Sequence, residues 1–586
     1  MLIRLIRKYS KLLALFSVLG LIFAASYLIP DNPDSRIFRS GIAGVLLILA
    51  GFPAISRALN THSLRQLLYG LCFALIFSFA LSLGSELHVY EKLLPGMGSM
   101  LRRMTVPLMA TPFLGALFSY AFAANLKIAA AKKHAPWIAY FLLFTLCYGL
   151  VLLAYYPGII NYDFPSEYHQ FVTGVYEAKH PVFHTMFSGA LYQLGIALFG
   201  SQAAGAATYS AVQIMLLSAM YASAFVFIQR RLPGIVTFIL ALLLALLPFQ
   251  GILAISTIKD SLFTGLCVLL CIELWSIAED ADAFFSSKLR MLRFLLICLF
   301  MALLRHNGIF AYLPAFISMI ILSTRHRRSA ITLSIISLLV CFAAPRSLEA
   351  ATGAQKSPSS ELMSIPCQQL MRVAEYGDVT EEEYAQINEW FANITYRYRP
   401  HYADTAKGNL DMERYNANPG EFWQMYFKFA RRNPSVYIEA FLENCAGIWY
   451  PDDTSHAHTM DSEQWDMVYL KTGNILPEEL SELQAHSYLP KLKTFLFGFT
   501  HHSRHEQYPL LSLLMRPATY TYLLLFAIMY CFCKGEKRWA LCLLPVCGIV
   551  FSLLFSACIL VRYAYPFMTC VPIFLALILF ADQHTV

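Results

Sequence analysis

Apolar runs close to twenty residues long alternate with short polar breaks along most of the 586-residue chain. A helix of that length crosses about 30 Å of hydrocarbon. The runs predict spans near 12–29, 41–56, 66–85, 105–124, 136–156, 204–228 and 233–250. Others are expected near 261–277, 291–304, 309–323, 329–345, 516–533, 539–560 and 564–580. The fold class read from this pattern is an all-α polytopic membrane protein with about fourteen transmembrane helices. Between 346 and 511 the pattern changes to charged, aromatic and turn-rich sequence. At roughly 165 residues this stretch is large enough to bury a core of its own. It reads as mainly helical: "TEEEYAQINEWF" opens with Thr380 and Glu383 at capping-box spacing. "NPSVYIEAFLENCAGIWYP" carries apolar positions at helical spacing and is expected to lie against the membrane.

Composition and charge add a side to each loop. The chain is 58% hydrophobic and 14% charged, with mean hydropathy +0.53, against about 25% charged residues in soluble domains. The net charge of +7 follows the loops rather than any basic stripe with interleaved aromatics, which argues against nucleic acid as a partner. Arg4, Arg7, Lys8 and Lys11 precede the first span, and its basic head with a long apolar core reads as an uncleaved span. Arg57 and Arg65, then Lys127, Lys132 and Lys133, then Arg230 and Arg231 fall on the same side. So do Lys288, Arg290 and Arg293, then Arg325, Arg327 and Arg328, then Lys534, Lys537 and Arg538. That side is the cytoplasmic one. Arg102 and Arg103 are the exception. Both termini are then cytoplasmic and the 346–511 domain is extracytoplasmic. The alternation holds only if the apolar segment 182–199 does not cross, so it is expected to be a re-entrant or interfacial helix on the outer face. The organisation expected is a four-helix membrane region (1–135), a membrane core (136–345) with an external loop at 157–203, the external domain (346–511) and C-terminal spans (512–586).

Candidate chemistry gathers at the outer ends of the spans. The loop "YPGIINYDFPSEYHQFVTGVYEAKHPVFH" carries Asp163, Glu167, Gln170, His180 and His184. "ISTIKDSLF" adds Lys259 and Asp260, "LLRHNGIF" adds Arg305, His306 and Asn307, and "LVRYAYPF" adds Arg562 and Tyr563. Any one cation of this kind is ordinarily an interfacial anchor. Four external turns with charge at one level instead suggest an outward-facing polar site. Cations there can hold a lipid phosphate, and a carboxylate beside them can deprotonate an acceptor hydroxyl. That is the chemistry of glycosyl transfer from a polyprenyl-phosphate sugar on the non-cytoplasmic face.

The sequence resembles the GT-C superfamily of integral membrane glycosyltransferases, and within it an uncharacterised bacterial polytopic subfamily. The resemblance rests on "YPGIINYD" with Gln170, "HPVFHT", "STIKDSLF", "RHNG", "IPCQQLMRVAEYG", "YADTAKG", "NPSVYIEAF" and "RYAYP". It implies a GT-C-like catalytic core at 136–345, a bacterial inner-membrane location, and roles in cell-envelope or polysaccharide biosynthesis. It also implies that Asp163 is the catalytic base. Glu167 stands four residues on, where superfamily members often show an adjacent acidic pair. The two would share a helix face, but Pro165 argues against a regular helix, and Glu167 either assists or faces water. The donor phosphate is expected on Lys259, Arg305, His306, Arg562 and Tyr563. The remaining substrate contacts are expected from Gln170, His180, His184, Asp260 and Asn307.

Other segments leave alternatives open. Gln368, Gln369 and Arg372 either pack within the external domain or hang over the site and bind sugar hydroxyls or phosphate. Asp452, Asp453, His456 and His458 could hold a divalent cation, but loops often collect such residues, and no cofactor or metal is expected. His501, His502 and His505 read as a juxtamembrane segment. Of fourteen cysteines, Cys367 and Cys445 lie in the external domain and are either paired or buried thiols. The partners expected are a polyprenyl-phosphate-linked sugar, a glycan or lipid acceptor, and the bilayer. A lipid-linked oligosaccharide flippase or transporter would be marked by inverted repeats and midplane charges. A polysaccharide polymerase or ligase would share the cations but take a diphosphate-linked donor.

Overall fold

The computed structural model describes all residues except 28–40, 125–133, 357–361, 392–397, 454–477, 501–503 and 584–586. Among the described residues the chain is helical, without strands, and only four isolated bridges occur outside helices. Nine of these helices are long and apolar enough to cross a membrane, or up to eleven if each of two bent pairs is a single span. The bends lie between Leu2–Lys8 and Ser10–Ser26 (77°) and between Gly234–Leu246 and Pro248–Ala254 (63°). The second falls at Pro248, which ends one helix and starts the next. This is an all-α membrane protein.

The helix ends collect on two faces. One face holds Asn60 on the Ser10 hydroxyl (2.9 Å), Arg65 on the Phe532 carbonyl (2.6 Å) and Gln229 on the Ala135 carbonyl (2.8 Å). Arg231 with Glu279, and His326 with Asp282 (2.7 Å), lie there too. The opposite face holds the 155–181 loop, the 255–259 turn, the Arg305–Gly308 turn and the 554–562 turn, with the domain expected to be external, and named for that expectation, packed on them. Ile159 donates to the Ile255 carbonyl (3.1 Å), Ala403 to Ala557 (2.7 Å), and Gln355 exchanges backbone bonds with Tyr176 and Ala178. Of the basic loops, Arg65, Arg231, Arg325 and Lys534 sit on the first face.

The two exceptional arginines have a local explanation. Glu86, buried near the end of Leu64–Tyr90, pairs with Arg102 (3.5 Å) and Arg103 (3.1 Å). It also accepts the Leu94 backbone N–H (2.8 Å). The cations answer a buried carboxylate, so they report packing rather than sidedness.

The apolar helix Val182–Phe199 is one of the nine, and it packs against Gln202–Gln229. Along Gln202–Gln229, Ser210 donates to the Ile255 carbonyl (3.0 Å) on the site face, while Gln229 bonds Ala135 on the other. From Ser210 to Gln229, nineteen residues at 1.5 Å each make about 28 Å. The first turns of that helix, before Ser210, extend past the Ile255 turn. Gln202 there donates to the Glu479 carbonyl (2.9 Å), beside the left-handed Gly200 that ends Val182–Phe199. At its start, His184 touches Glu167 of the loop (2.8 Å). Its Tyr192 is buried among Phe164, Tyr168, Leu480 and Leu483.

The helix Arg327–Thr352 runs through Pro345 to Thr352, past the expected end of its span at 345, and leads into the external domain. Its core is formed by Cys367, Leu370, Met371, Trp390, Phe422 and Phe429 with their neighbours. Pro419–Arg432 is amphipathic, with Phe422, Met425 and Phe429 buried at helical spacing. Thr380 and Glu383 form the expected capping box. The later part of the domain joins the membrane bundle, where Cys445, Ile448 and Leu496 enter the large core. Cys367 and Cys445 are separate buried thiols.

At the junction a charge network is fully enclosed. Arg372 reaches Glu439 (2.9 Å), Glu443, the Tyr398 hydroxyl and the Glu91 carbonyl. Burial pushes the Glu443 carboxyl up to about 7, against the pull of Arg372 and Tyr398. A carboxyl raised in the fold stabilises most when protonated, so its contribution is full below the ordinary value and is lost as pH rises toward 7. Limited proteolysis of the external domain should accordingly quicken between pH 5 and pH 8, and Glu443→Gln should remove most of that dependence.

Candidate functional site

The site is built on a short helix that the sequence makes look unfavourable. Asp163–Thr173 is helical with Pro165 inside its first turn. An N–H missing there costs nothing, because first-turn N–H groups have no intrahelical acceptor. Asp163 and Glu167 consequently share one face. The segment before the helix is pinned to the bundle. Asn161 N–H donates to the Thr257 hydroxyl (3.0 Å), and Thr257 N–H donates to the Ile159 carbonyl (2.9 Å). Gly158 has φ +119°, and a Cβ there would fall 2.3 Å from the Ser210 hydroxyl oxygen, so this close approach to the neighbouring helix requires glycine.

Asp163 is the centre of the cluster. Its Oδ2 lies 3.2 Å from Lys259 Nζ and 3.3 Å from Arg562 Nη1. Lys259 is the first residue of its helix, and its ammonium also meets His180 Nδ1 (3.0 Å) and Glu167 Oε1 (3.6 Å). Arg562 donates to Asn161 Oδ1 (2.7 Å) and to the Tyr563 hydroxyl (2.9 Å). Arg305 pairs with Asp260 (2.6 Å), and both guanidinium groups lie over the Tyr563 ring, at 5.4 Å for Arg305 and 4.8 Å for Arg562. Three carboxylates therefore face three cations. Asp163 keeps 23% of its side chain exposed, whereas Glu167 keeps 1%.

The two acids are consequently different in kind. Burial opposes charge on Asp163, but Lys259, Arg562 and His180 outweigh it and hold the carboxyl well below the usual range. Burial likewise opposes charge on Glu167, and His184 with Lys259 brings it down to about 2. Glu167 does not face water. It accepts from His184 Nδ1, and His184 Nε2 meets the Tyr209 hydroxyl (3.1 Å). Tyr209 donates to Gln213 (2.9 Å), which is anchored on the Ala254 and Ser256 carbonyls. Glu167 thus sits at the base of a buried chain that fixes Lys259 from below. His180 is held below its ordinary value by burial and then by Lys259, and its Nδ1 accepts from the ammonium, which has only donors.

The other expected site residues divide. Gln170 is buried and folds the loop by accepting the Glu177 N–H (3.0 Å). His306 donates to the Ala178 carbonyl (3.1 Å) and so ties the Arg305 turn to the loop, while Asn307 is exposed beside it. The placement of Gln368, Gln369 and Arg372 over the site needs correction, because their polar atoms are engaged inside the external domain. Gln368 donates to the Arg399 carbonyl (2.5 Å), Gln369 to the Tyr437 carbonyl (3.1 Å), and Arg372 is fully buried. Asp452 pairs with Arg516 (2.6 Å), and His456, His458, His501 and His502 lie outside the described residues. Asn161, Tyr209, Gln213 and Thr257 are the contributors that the sequence reading missed. Tyr209 and Gln213 carried a signal, as polar residues four apart within an apolar span.

A family profile described as "Family of unknown function (DUF6020)" matches residues 170–585. The chain belongs to the DUF6020 family. The DUF6020 match takes in His180, His184, Lys259, Arg305 and Arg562, and it starts after Asp163 and Glu167. No curated protein and no solved structure matches the chain.

Proposed function

We propose that this protein is a membrane glycosyltransferase of GT-C type, moving a sugar from a polyprenyl-phosphate donor to a cell-envelope acceptor on the extracytoplasmic face. One observation carries the reading: a partly exposed carboxylate, Asp163, lies within hydrogen-bond distance of Lys259 and Arg562 at the outer rim of the bundle. The acceptor hydroxyl attacks the anomeric carbon as its proton passes to Asp163. The bond from that carbon to the phosphate oxygen breaks, and the bonding pair leaves with the phosphate. The second negative charge that develops on the lipid phosphate is met by Lys259 and Arg562. Arg305 and Tyr563 support Arg562 rather than reach the donor first, and Glu167 positions Lys259. The motif resemblance to GT-C enzymes and the clustering of charge at one face support an enzyme over a transporter.

The topology that goes with this reading has about fourteen crossings, cytoplasmic termini and Val182–Phe199 as an interfacial helix. Phe199, 69% exposed at the end of that helix, tests it. Phe199→Cys should react with a membrane-impermeant maleimide in intact cells, and Arg230→Cys should react only after permeabilisation. The reverse pattern would make Val182–Phe199 a span. The activity is tested by transfer of radiolabelled sugar from polyprenyl-phosphate donors in inside-out and right-side-out vesicles. Transfer is expected only with the protein present and with acceptor on the outer face. Equal transfer in vesicles lacking the protein would refute the reading.

A further inference from the structure

The cations proposed to bind the donor are occupied by the group proposed to do the chemistry. Lys259 and Arg562 converge on a single oxygen of Asp163, at 3.2 and 3.3 Å. The third cation, Arg305, is committed to Asp260. His180 Nδ1 in turn accepts from the Lys259 ammonium. Each cation that could meet an arriving phosphate is therefore already engaged by a carboxylate. A carboxylate held by two cations is also a poor proton acceptor, since taking up a proton would break both ion pairs.

We propose that the donor phosphate displaces Asp163 from Lys259 and Arg562, so that donor binding itself releases the base. This rests on the lipid-phosphate reading above and adds an order of events to it. The phosphate forms bonds with Lys259 and Arg562, and Asp163, loosened from both, turns its oxygen toward the acceptor. Glu167 keeps Lys259 in place through the exchange, because its own anchor runs through His184, Tyr209 and Gln213 and does not involve Asp163. Released, the Asp163 carboxylate takes the acceptor proton as the acceptor oxygen bonds the anomeric carbon. The lipid phosphate leaves with the bonding pair and one more negative charge than the donor carried. Before the donor arrives, an acceptor or a water molecule meets a base with no capacity to act.

This exchange has a counterintuitive consequence, that removing the base improves binding. The probe is a polyprenyl monophosphate, titrated against full-length protein in nanodiscs, with the uncharged polyprenol and inorganic phosphate as separate arms. Asp163→Asn and Asp163→Ala should each bind the lipid phosphate about tenfold more tightly than the parent, the size of one competing charge contact. Asp163→Glu should bind like the parent, because it restores the competitor. Combining Asp163→Asn with Lys259→Met should abolish the gain. Polyprenol should show no such series, and a series reproduced by inorganic phosphate would assign the exchange to phosphate at large rather than to a lipid headgroup. Equal affinity of the parent and both neutral variants would overturn the release while leaving the lipid-phosphate reading intact. Absence of phosphate-dependent binding in every form would overturn that reading as well.

Discussion

Asp163→Asn should lower sugar transfer by about 10²- to 10⁴-fold, the range expected when a positioned general base is lost, while the protein still inserts and folds. The substitution keeps the size of the side chain and an oxygen that can accept from Lys259 or Arg562. What it removes is the charge and the ability to take a proton. The backbone around it is held by contacts that do not use the carboxylate: Asn161 on Thr257, Ile159 on Ile255, and the buried Phe164. Loss of turnover should appear in kcat, with donor affinity preserved or improved. Glu167→Gln should behave differently. It weakens the support of Lys259 from beneath, and it leaves His184 without its charged partner, so its effect should appear in donor KM and in thermal stability together. Measured side by side with one donor, the two variants separate a base from a positioning residue. Full activity of Asp163→Asn would remove Asp163 from the chemistry.

The contrast between these two acids shows where sequence reading succeeds and where it stops. The all-α membrane character was legible because each apolar run is a one-dimensional signal, whereas nine to eleven helices among the described residues, not fourteen, are long and apolar enough to cross. Asp163, Lys259 and Arg562 could be selected as ionisable residues at outer span ends. Their convergence on one oxygen could not, because the three lie on separate segments of the chain. Pro165 misled for a local reason: its effect depends on where the helix begins, and that beginning is set by Asn161 and Thr257. Arg372 misled for the opposite reason. A Gln–Gln–Arg run on one helix looks ready to bind a ligand, and only the fold reveals that Glu439, Glu443 and Tyr398 already enclose the guanidinium.

That enclosure sets up the largest expected effect on stability. Arg372→Met should destabilise the external domain by about 3–5 kcal/mol, the usual result when one member of a buried ion network is removed. The methionine fills much of the volume, so the loss comes from charge rather than from a cavity. Glu439 and Glu443 would be left facing each other without a cation, at 5% and 3% side-chain exposure. The Glu91 carbonyl would lose its donor as well, which loosens the turn between Leu64–Tyr90 and Met97–Ala123 from the domain. Protease sensitivity within the external domain and a lowered melting temperature in detergent should report the damage. Adding Glu439→Gln and Glu443→Gln to Arg372→Met should recover much of it, because neutral side chains remove the repulsion that the lost cation had balanced. Recovery in the triple variant would identify the defect as uncompensated buried charge. Failure to recover would instead point to Arg372 as a geometric anchor, through Tyr398 and Glu91, that no neutral side chain replaces.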